Sequence, residues 1–192
     1  VSIGCSHHKA DFAFIIVSRF VNHILNLKSA TVAADAVINI TGNSNSIMSM
    51  AIGDANVTSV TIKGLTGAGT IYSGEQVFGG GTTLASDATT RTLIIDTDGS
   101  GHFANTATSE NCTSSATLKE NLNLQKDGSG TQIFSGDTSN YNGTVTINAG
   151  TLGFTGTGDL GSGAITIASE AELKLGNSGA NSERAIANSI SG

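Results

Sequence analysis

Proline and tryptophan are absent from this chain of 192 residues, cysteine occurs twice, and aromatic residues make up only 5%. Charged residues make up 12%, about half of the roughly 25% of an ordinary globular protein. This is not the composition of a typical globular enzyme. Cys5 and Cys112 lie far apart without a CxxC spacing, which indicates neither a disulfide framework nor a zinc site. Because no apolar run approaches the roughly 18 residues of a membrane helix, we expect no direct membrane insertion by this chain.

The net charge of −6 is unevenly distributed. Residues 1–28 hold three basic residues and one acidic residue, whereas residues 29–192 hold six basic and fourteen acidic residues. A dispersed acidic surface repels phosphate backbones, so the sequence argues against nucleic acid as a partner.

Residues 1–28 are predicted to be a segment of their own. Between Asp11 and Leu27 apolar residues recur with helical period, and Asp11 is a suitable N-cap. The residues on the apolar face are Phe12, Ile16, Val17, Phe20, Val21 and Ile24. We therefore predict a short amphipathic helix that caps the region following it. A signal-peptide remnant and a membrane-surface helix are the alternatives.

Residues 29–192 have a different pattern, with all but one of the 25 glycines. Their low charge and small polar residues also suit a disordered chain, but regular β-branched triplets argue for strands. These triplets are Val60-Thr61-Ile62, Val145-Thr146-Ile147 and Ile165-Thr166-Ile167. The absence of proline fits internal strands, which need every N–H for pairing.

A short signature recurs in this region: an apolar-x-apolar strand, a Gly-x-Gly turn and a second strand. The copies start at Val60, Leu93, Leu122 and, in a weaker form, Leu152. The first glycines of the turns are Gly67, Gly99, Gly128 and Gly161, which gives a loose and regular spacing. A period of about thirty residues is typical of solenoids, so we predict an all-β, right-handed parallel β-helix over residues 29–192. An antiparallel β-sandwich or jelly roll is the alternative fold.

Several motifs match a functional site only in part. The run Asp96-Thr97-Asp98-Gly99-Ser100-Gly101 resembles the start of a calcium loop, but its twelfth position is Ala107 where a bidentate Glu is needed, so an Asx-rich turn is favoured. The GxGxxG letters of Gly156 to Gly161 precede the strand-like Ala164 to Ile167, not the helix that a dinucleotide site needs. We therefore predict no cofactor site.

The remaining candidates are weaker. Gly79-Gly80-Gly81 lacks the Lys-Ser/Thr of a phosphate loop, and the adjacent His7 and His8 near Cys5 are poorly placed to share one metal ion. Arg91, Asp96 and Asp98 would have to line one groove to act in acid/base catalysis, and structural turns explain them more simply. The sequence thus predicts no catalytic, cofactor-binding or metal-binding residues.

One stretch resembles the strand repeat of bacterial autotransporter passenger domains. The segments that carry the resemblance, in order, are Gly128-Ser129-Gly130-Thr131, Ser135-Gly136, Asn140-Tyr141-Asn142-Gly143-Thr144 and Ala149-Gly150-Thr151-Leu152. The resemblance implies a fragment of a larger passenger, secreted or displayed at the surface of a Gram-negative bacterium. Family members are held there by a C-terminal outer-membrane barrel, which we expect to lie outside this chain, with further coils beyond Gly192.

The function implied by the resemblance is non-enzymatic: a structural or adhesive surface protein. Its partners would be a surface ligand, a host cell or a biofilm matrix. The alternative is a carbohydrate-active β-helix enzyme, either a polysaccharide lyase or a hydrolase. Binding to ice or mineral would require flat Thr-x-Thr ladders, and Thr144-Val145-Thr146 is the only good instance in the sequence.

Overall fold

The computed structural model describes the chain in separate stretches and assigns strands as the only regular structure within them. The described residues are 13–18, 24–26, 36–41, 47–49, 57–67, 70–73, 90–97, 111–114, 117–118, 122–136, 138, 141–155, 160, 162–176 and 188–192. The strands are β1 (Ala13–Ser18), β2 (Ile24–Asn26), β3 (Ala36–Thr41), β4 (Ile47–Ser49), β5 (Ser59–Ile62), β6 (Gly64–Gly67), β7 (Thr70–Tyr72), β8 (Arg91–Asp96), β9 (Asn111–Ser114), β10 (Thr117–Leu118), β11 (Leu122–Asp127), β12 (Thr131–Phe134), β13 (Val145–Ile147), β14 (Thr151–Phe154), β15 (Ile165–Ile167), β16 (Glu172–Leu175) and β17 (Ile190–Ser191).

Within the described residues these strands form three sheets. Sheet 1 has the order β1-β3-β6-β9-β12-β14-β16, sheet 2 the order β10-β7-β4-β2, and sheet 3 the order β17-β15-β13-β11-β8-β5. Every described pairing is parallel. The prediction of an all-β fold with parallel strands is confirmed. The alternative of an antiparallel sandwich or jelly roll is wrong, because those folds are built from antiparallel neighbours.

The chain visits the sheets in turn. Strands β5, β6 and β7 lie in sheets 3, 1 and 2, and β8, β9 and β10 repeat that order. From β11 onward the described strands alternate between sheets 3 and 1. Strands of two to six residues are too short to be stable alone, so their stability comes from the neighbours stacked on either side.

The separation between stacked strands changes along the chain. We call the stretch of chain between one residue and its register partner on the next strand of the same sheet a coil. Val60 pairs with Leu93 and Leu93 with Leu124, so these coils have the predicted length of about thirty residues. Leu124 pairs with Val145 and Val145 with Ile165, so the next coils have only about twenty residues. The shorter coils contribute no described strand to sheet 2. The period near thirty is therefore wrong for the coils after β11.

The three predicted β-branched triplets lie in the same sheet. Val60-Thr61-Ile62, Val145-Thr146-Ile147 and Ile165-Thr166-Ile167 all lie in strands of sheet 3, namely β5, β13 and β15. The weaker repeat copy, Leu152-Gly153-Phe154, instead lies in β14 of sheet 1, so it does not stack on the other three copies.

Alternate residues of the stacked strands form the core of the described region. Val60, Leu93, Leu124, Val145 and Ile165 occupy one register column of sheet 3 and are all buried. In sheet 1 the rings of Phe134 and Phe154 stack with centroids 5.7 Å apart. Burial of one such side chain contributes about 1.5–3 kcal/mol, so a continuous column offsets the ordering of many small polar residues.

Two stretches of the N-terminal segment form strands. Ala13–Ser18 and Ile24–Asn26, inside the predicted amphipathic helix, are strands β1 and β2, which pair in parallel with β3 and β4. Ile15, Ile16 and Val17 are β-branched, and a neighbouring strand edge favours extended backbone there. The capping helix as a whole stays a prediction. The rest of residues 1–28, including Asp11, lies outside the described residues, and the division at residue 28 stays a prediction.

Candidate functional site in sheet 3

Four polar residues lie at or just after the C-terminal ends of neighbouring strands of sheet 3. Lys63 Nζ donates to Asp96 Oδ2 at 2.8 Å, and Asn148 Nδ2 donates to Asp127 Oδ1 at 2.8 Å. Asp96 and Asp127 are register partners on β8 and β11. Stacked carboxylates repel each other, and the flanking ammonium and amide groups offset that repulsion. Lys63, Asp96, Asp127 and Asn148 are called the polar ladder below.

The polar ladder contains the first residue of the motif that resembles a calcium loop. The Asp96 carboxylate accepts a hydrogen bond from Lys63, and Thr97 is buried with its backbone oxygen accepting from the amide of Gly130 at 2.7 Å. These two residues are therefore held by contacts within the fold. Residues 98–101 lie outside the described residues, and the calcium hypothesis stays untested there.

Arg91 and Asp96 do not face one groove. Burial alternates along β8, so Arg91 points inward and is fully buried while Asp96 points outward. The Arg91 guanidinium donates through Nε to the carbonyl of Val57 at 2.8 Å and through Nη1 to that of Ser73 at 2.9 Å. The arginine thus joins two loops from inside. Asp98, the third residue of this hypothesis, lies outside the described residues.

The other partial motifs are mostly outside the described residues. This applies to Cys5, His7, His8, Gly79-Gly80-Gly81 and, except for the buried Leu160, to Gly156 to Gly161. The segment after that last motif forms strand β15, so the prediction that a strand follows is confirmed. A dinucleotide site would need a helix opening there.

The ammonium group of Lys126 is buried at the corner between β11 and β12. Its Nζ donates to the carbonyl oxygen of Gly128 at 2.7 Å and to that of Asp127, and lies within 3.5 Å of those of Thr97 and Ala149. These oxygens come from three successive coils. A charged group can be buried only when it is well hydrogen-bonded, and here the bonds also join the coils. The sequence reasoning missed this residue, although a Lys in an inward position of an alternating strand was a usable signal.

Gln132 fills a gap in sheet 1. Its side chain is fully buried, its Oε1 accepts from the amide of Leu65 at 2.9 Å, and its Nε2 donates to the carbonyl of Leu65 at 3.0 Å. Strand β9 lies between β12, which contains Gln132, and β6, which contains Leu65. In the described residues β9 pairs with β6 only at Ser114 and Gly67. The glutamine amide therefore supplies the partner that the backbone of Leu65 lacks in the sheet. The sequence reasoning also missed this contact, which joins residues 67 positions apart.

The outward face of sheet 3 carries uncharged polar side chains. We define the outer polar face by six uncharged residues at outward positions on or next to β11, β13, β15 and β17: Asn123, Gln125, Thr144, Thr146, Thr166 and Ser191. The next outward residue of β11, Asp127, belongs to the polar ladder. All six are half-buried or exposed. Asn123 Oδ1 accepts from the amide of Thr144 at 2.9 Å, and the hydroxyls of Thr166 and Ser191 lie 3.4 Å apart. The face is thus a set of hydroxyl and amide groups in register.

The described residues contain no cluster of three or more His, Cys, Asp or Glu side chains suited to a metal ion. Nor do they contain a helix long and apolar enough to cross a membrane. What the geometry offers chemically is hydrogen bonding along the polar ladder and the outer polar face.

A comparison with protein-family models gives one match, to the passenger-associated-transport-repeat, over residues 124–153. These residues are an autotransporter passenger repeat. No curated protein and no solved structure matches the chain. The match confirms the predicted resemblance, since it contains all the quoted segments from Gly128 to Leu152.

The passenger repeat begins within β11 and ends within β14, so it covers one complete short coil. Lys126, Asp127, Gln132 and Asn148 all lie in it. The buried Lys126 and Gln132 and half of the polar ladder therefore belong to the repeat. Its presence implies secretion or a place at the cell surface.

Tyr141 is a buried aromatic residue of the repeat, between β12 and β13. The ring is fully buried, and its hydroxyl donates to the carbonyl of Thr144 at 2.8 Å. Burial raises the pKa of Tyr141 well above its ordinary value, because the phenolate would lose its solvation inside the fold. Tyr141 thus joins the segment that precedes β13 to the core of the repeat.

Proposed function

We propose that this protein is a non-enzymatic surface protein, part of an autotransporter-like passenger that has a structural or adhesive role. The observation that carries the proposal is the passenger repeat at residues 124–153, which coincides with the stacked strands β11 to β14. Family members of this kind are exported, and a stack of short strands can extend far from a surface without needing a large globular core.

The architecture we propose is a right-handed parallel β-helix. It is supported by the parallel pairing of all described strands and by the order in which the chain visits the three sheets. Inward residues such as Leu124, Val145 and Ile165 stack from coil to coil, as a solenoid requires. The right hand follows from the general rule that about 98% of parallel crossovers have it.

The positions of four charged residues in the described part of the chain support a role without catalysis. Arg91 and Lys126 face inward and are fully buried, where an external polymer would not reach them. Asp96 and Asp127 on the outside are already hydrogen-bonded within the polar ladder. Enzymes that cut polysaccharides need a carboxylate pair or a basic group free to meet the substrate.

The place we propose is the outer surface of a Gram-negative bacterium, where the protein acts as an adhesin or as a structural component. A ligand on a host cell or in a biofilm matrix is the corresponding partner.

The test uses the producing bacterium. Antibodies raised against the purified chain should label intact cells or the culture supernatant, and an antibody to a cytosolic protein should label only lysed cells. A strain that lacks the gene should attach less to host cells or form less biofilm, and the restored gene should reverse the loss. Labelling that requires cell lysis would contradict the proposed location, and unchanged attachment would contradict the adhesive role.

A further inference from the structure

We propose that Asn142 is a site of spontaneous modification, where the side-chain amide is lost through a cyclic imide formed with the backbone nitrogen of Gly143. The inference goes beyond the proposed function and does not rest on it, because the chemistry needs only water and a solvent base. Three observations carry it: Asn142 is exposed, no described residue holds its side chain, and the neighbouring coils leave no room for the product.

The two groups that react are accessible to each other. Asn142 is exposed and lies in the segment between Tyr141 and β13. Neither its side-chain amide nor the backbone N–H of Gly143 has a hydrogen-bond partner among the described residues. Asparagine is a chemically labile residue, and a following glycine has no side chain to hinder attack on the amide. At this position no such bond has to break before the reaction begins.

Two similar sites in the same repeat are held by hydrogen bonds. Asn148 is also exposed, but its Nδ2 donates to Asp127 Oδ1 at 2.8 Å, and the residue after it is Ala149. Asp127 precedes a glycine, but its other carboxylate oxygen accepts from Gln125 Nε2 at 2.9 Å. Both side chains must give up a bond before they can turn toward the next backbone nitrogen. Among these three positions, Asn142 is therefore the reactive one.

The reaction balances with water as the only reagent consumed. A solvent base takes the proton of the Gly143 amide, and the nitrogen attacks Asn142 Cγ. The bond from Cγ to the side-chain nitrogen breaks, and that nitrogen takes up a proton and leaves as ammonia. Water then opens the imide: cleavage between Cγ and the Gly143 nitrogen gives aspartate, whereas cleavage at the backbone carbonyl carbon of residue 142 gives isoaspartate. In isoaspartate the main chain runs through the former Cβ and Cγ and is one atom longer.

The longer main chain does not fit the stack of coils. A Cβ atom built on Gly143 would lie 1.8 Å from the carbonyl oxygen of Leu122, and one built on Gly163 would lie 2.0 Å from the carbonyl oxygen of Gly143. The coils on both sides therefore contact the backbone closely at this residue. The bond from the Tyr141 hydroxyl to the Thr144 carbonyl, at 2.8 Å, also spans it. Isoaspartate at residue 142 thus displaces these contacts and weakens the passenger repeat.

The experiment incubates the purified, folded chain in mildly alkaline buffer and follows each asparagine by peptide mass spectrometry, with fragmentation that separates isoaspartate from aspartate. We expect conversion at Asn142 to be at least about tenfold faster than at Asn148, where a hydrogen bond must break and a methyl group crowds the attack. Lower pH should slow the conversion, because base removes the amide proton. Asn142→Gln is the control, since its longer side chain would need a larger ring and should stay unmodified.

Urea unfolding separates the effect of the longer main chain from that of the new charge. The incubated chain should contain a fraction, equal to its isoaspartate content, that unfolds at a lower urea concentration. Asn142→Asp has the charge with an ordinary main chain, so it should unfold close to the unmodified chain. The incubated Asn142→Gln variant should keep its unfolding midpoint.

Three outcomes would overturn the proposal. The first is conversion at Asn142 that is no faster than at Asn148. The second is conversion that occurs only in the urea-unfolded chain, which would show that the fold protects the site. The third is isoaspartate at residue 142 without a change in the unfolding midpoint. None of these results changes the labelling of intact cells, so the proposed function is tested separately.

Discussion

Gly143 shows how closely the coils approach each other at a single residue. A Cβ atom built on it would lie 1.8 Å from the carbonyl oxygen of Leu122 in the preceding coil. We predict that Gly143→Ala lowers the free energy of unfolding by about 3 kcal/mol, because backbone must shift to make room. Urea unfolding of the purified chain measures the loss.

Gly176→Ala is the matched control for that change. The nearest atom to its added Cβ is the Thr155 Cγ2 at 3.1 Å, a side-chain methyl group that can move slightly. We expect a loss below about 1 kcal/mol. Equal losses for the two variants would show that the approach to Leu122 is not what demands glycine at residue 143.

Tyr141 gives the fold a dependence on alkaline pH. Its pKa is raised in the folded state, whereas the unfolded chain has the ordinary value of about 10. Above that pH the unfolded state releases a proton that the folded state keeps, so the stability present below pH 10 is lost as pH rises. We predict a decrease of about 1.4 kcal/mol per pH unit from this group.

The variant Tyr141→Phe isolates the effect. At pH 7 it should cost about 1 kcal/mol, through loss of the hydrogen bond to Thr144. Above pH 10 its stability should fall less steeply than that of the unmodified chain, in urea titrations at half-unit intervals. Tyr72→Phe tests whether the other tyrosine contributes, and parallel pH profiles for the Tyr141→Phe variant and the unmodified chain would argue against Tyr141 as the source.

At the scale of the element, Gln132 connects β12 to β6. Replacing it by Leu would leave the amide and carbonyl of Leu65 without their partner in a buried position. We predict that Gln132→Leu lowers the free energy of unfolding by about 2–4 kcal/mol, which is the cost of leaving two buried polar groups unpaired. Hydrogen exchange at the Leu65 amide should accelerate more than exchange in β13.

Gln132→Glu separates hydrogen bonding from packing. It keeps the length of the side chain and the acceptor for the Leu65 amide, but it places a carboxylate oxygen against the Leu65 carbonyl. We expect it to destabilise the fold at pH 7 and to recover part of the loss in acid, where the protonated side chain can donate again. A Gln132→Leu variant as stable as the unmodified chain would contradict the assigned role.

The strands were predictable from the sequence where apolar residues alternate and glycines bound the run, as in Val145-Thr146-Ile147. The apolar spacing of the run Phe14 to Val17 fits both a helix and a strand, and in the structure this run pairs with β3. The buried Gln132 was missed because its partner Leu65 comes from another coil, and the acceptors of Lys126 at Thr97 and Ala149 likewise come from the neighbouring coils.

At the scale of the whole molecule, the parallel architecture and the passenger repeat were predictable, but the register of the coils was not. Asp96 was noted in the sequence for calcium, yet its register partner Asp127 lies one whole coil further along the chain and becomes adjacent only through the length of that coil. The coils become shorter after β11, as the pairing of Leu93 with Leu124 and of Leu124 with Val145 shows. The spacing of the glycine turns predicts the coil length only approximately, so the exact register that forms the polar ladder and the outer polar face needed the structure.

This register leads to a prediction for the whole stack. Because Val145 and Ile165 are register partners, deletion of residues 145–164 removes one complete coil and brings Ile165 to the place of Val145 beside Leu124. Solenoid stability is approximately a sum over coils and their interfaces, so the shortened chain should still fold cooperatively. Its circular dichroism should keep the β signature, and its urea m value should fall by about a tenth, in proportion to the surface removed.

Deletion of residues 145–154 is the control, because it removes half a coil. It would place Thr155, Gly156 and Thr157 beside Leu124, Gln125 and Lys126, so that two inward apolar positions of sheet 3 are lost. We expect this chain to lose cooperative unfolding or to aggregate, since the next apolar strand is then out of register. If both deletions behave alike, whether by folding or by failing, the stacking of complete coils is not the rule that stabilises this protein.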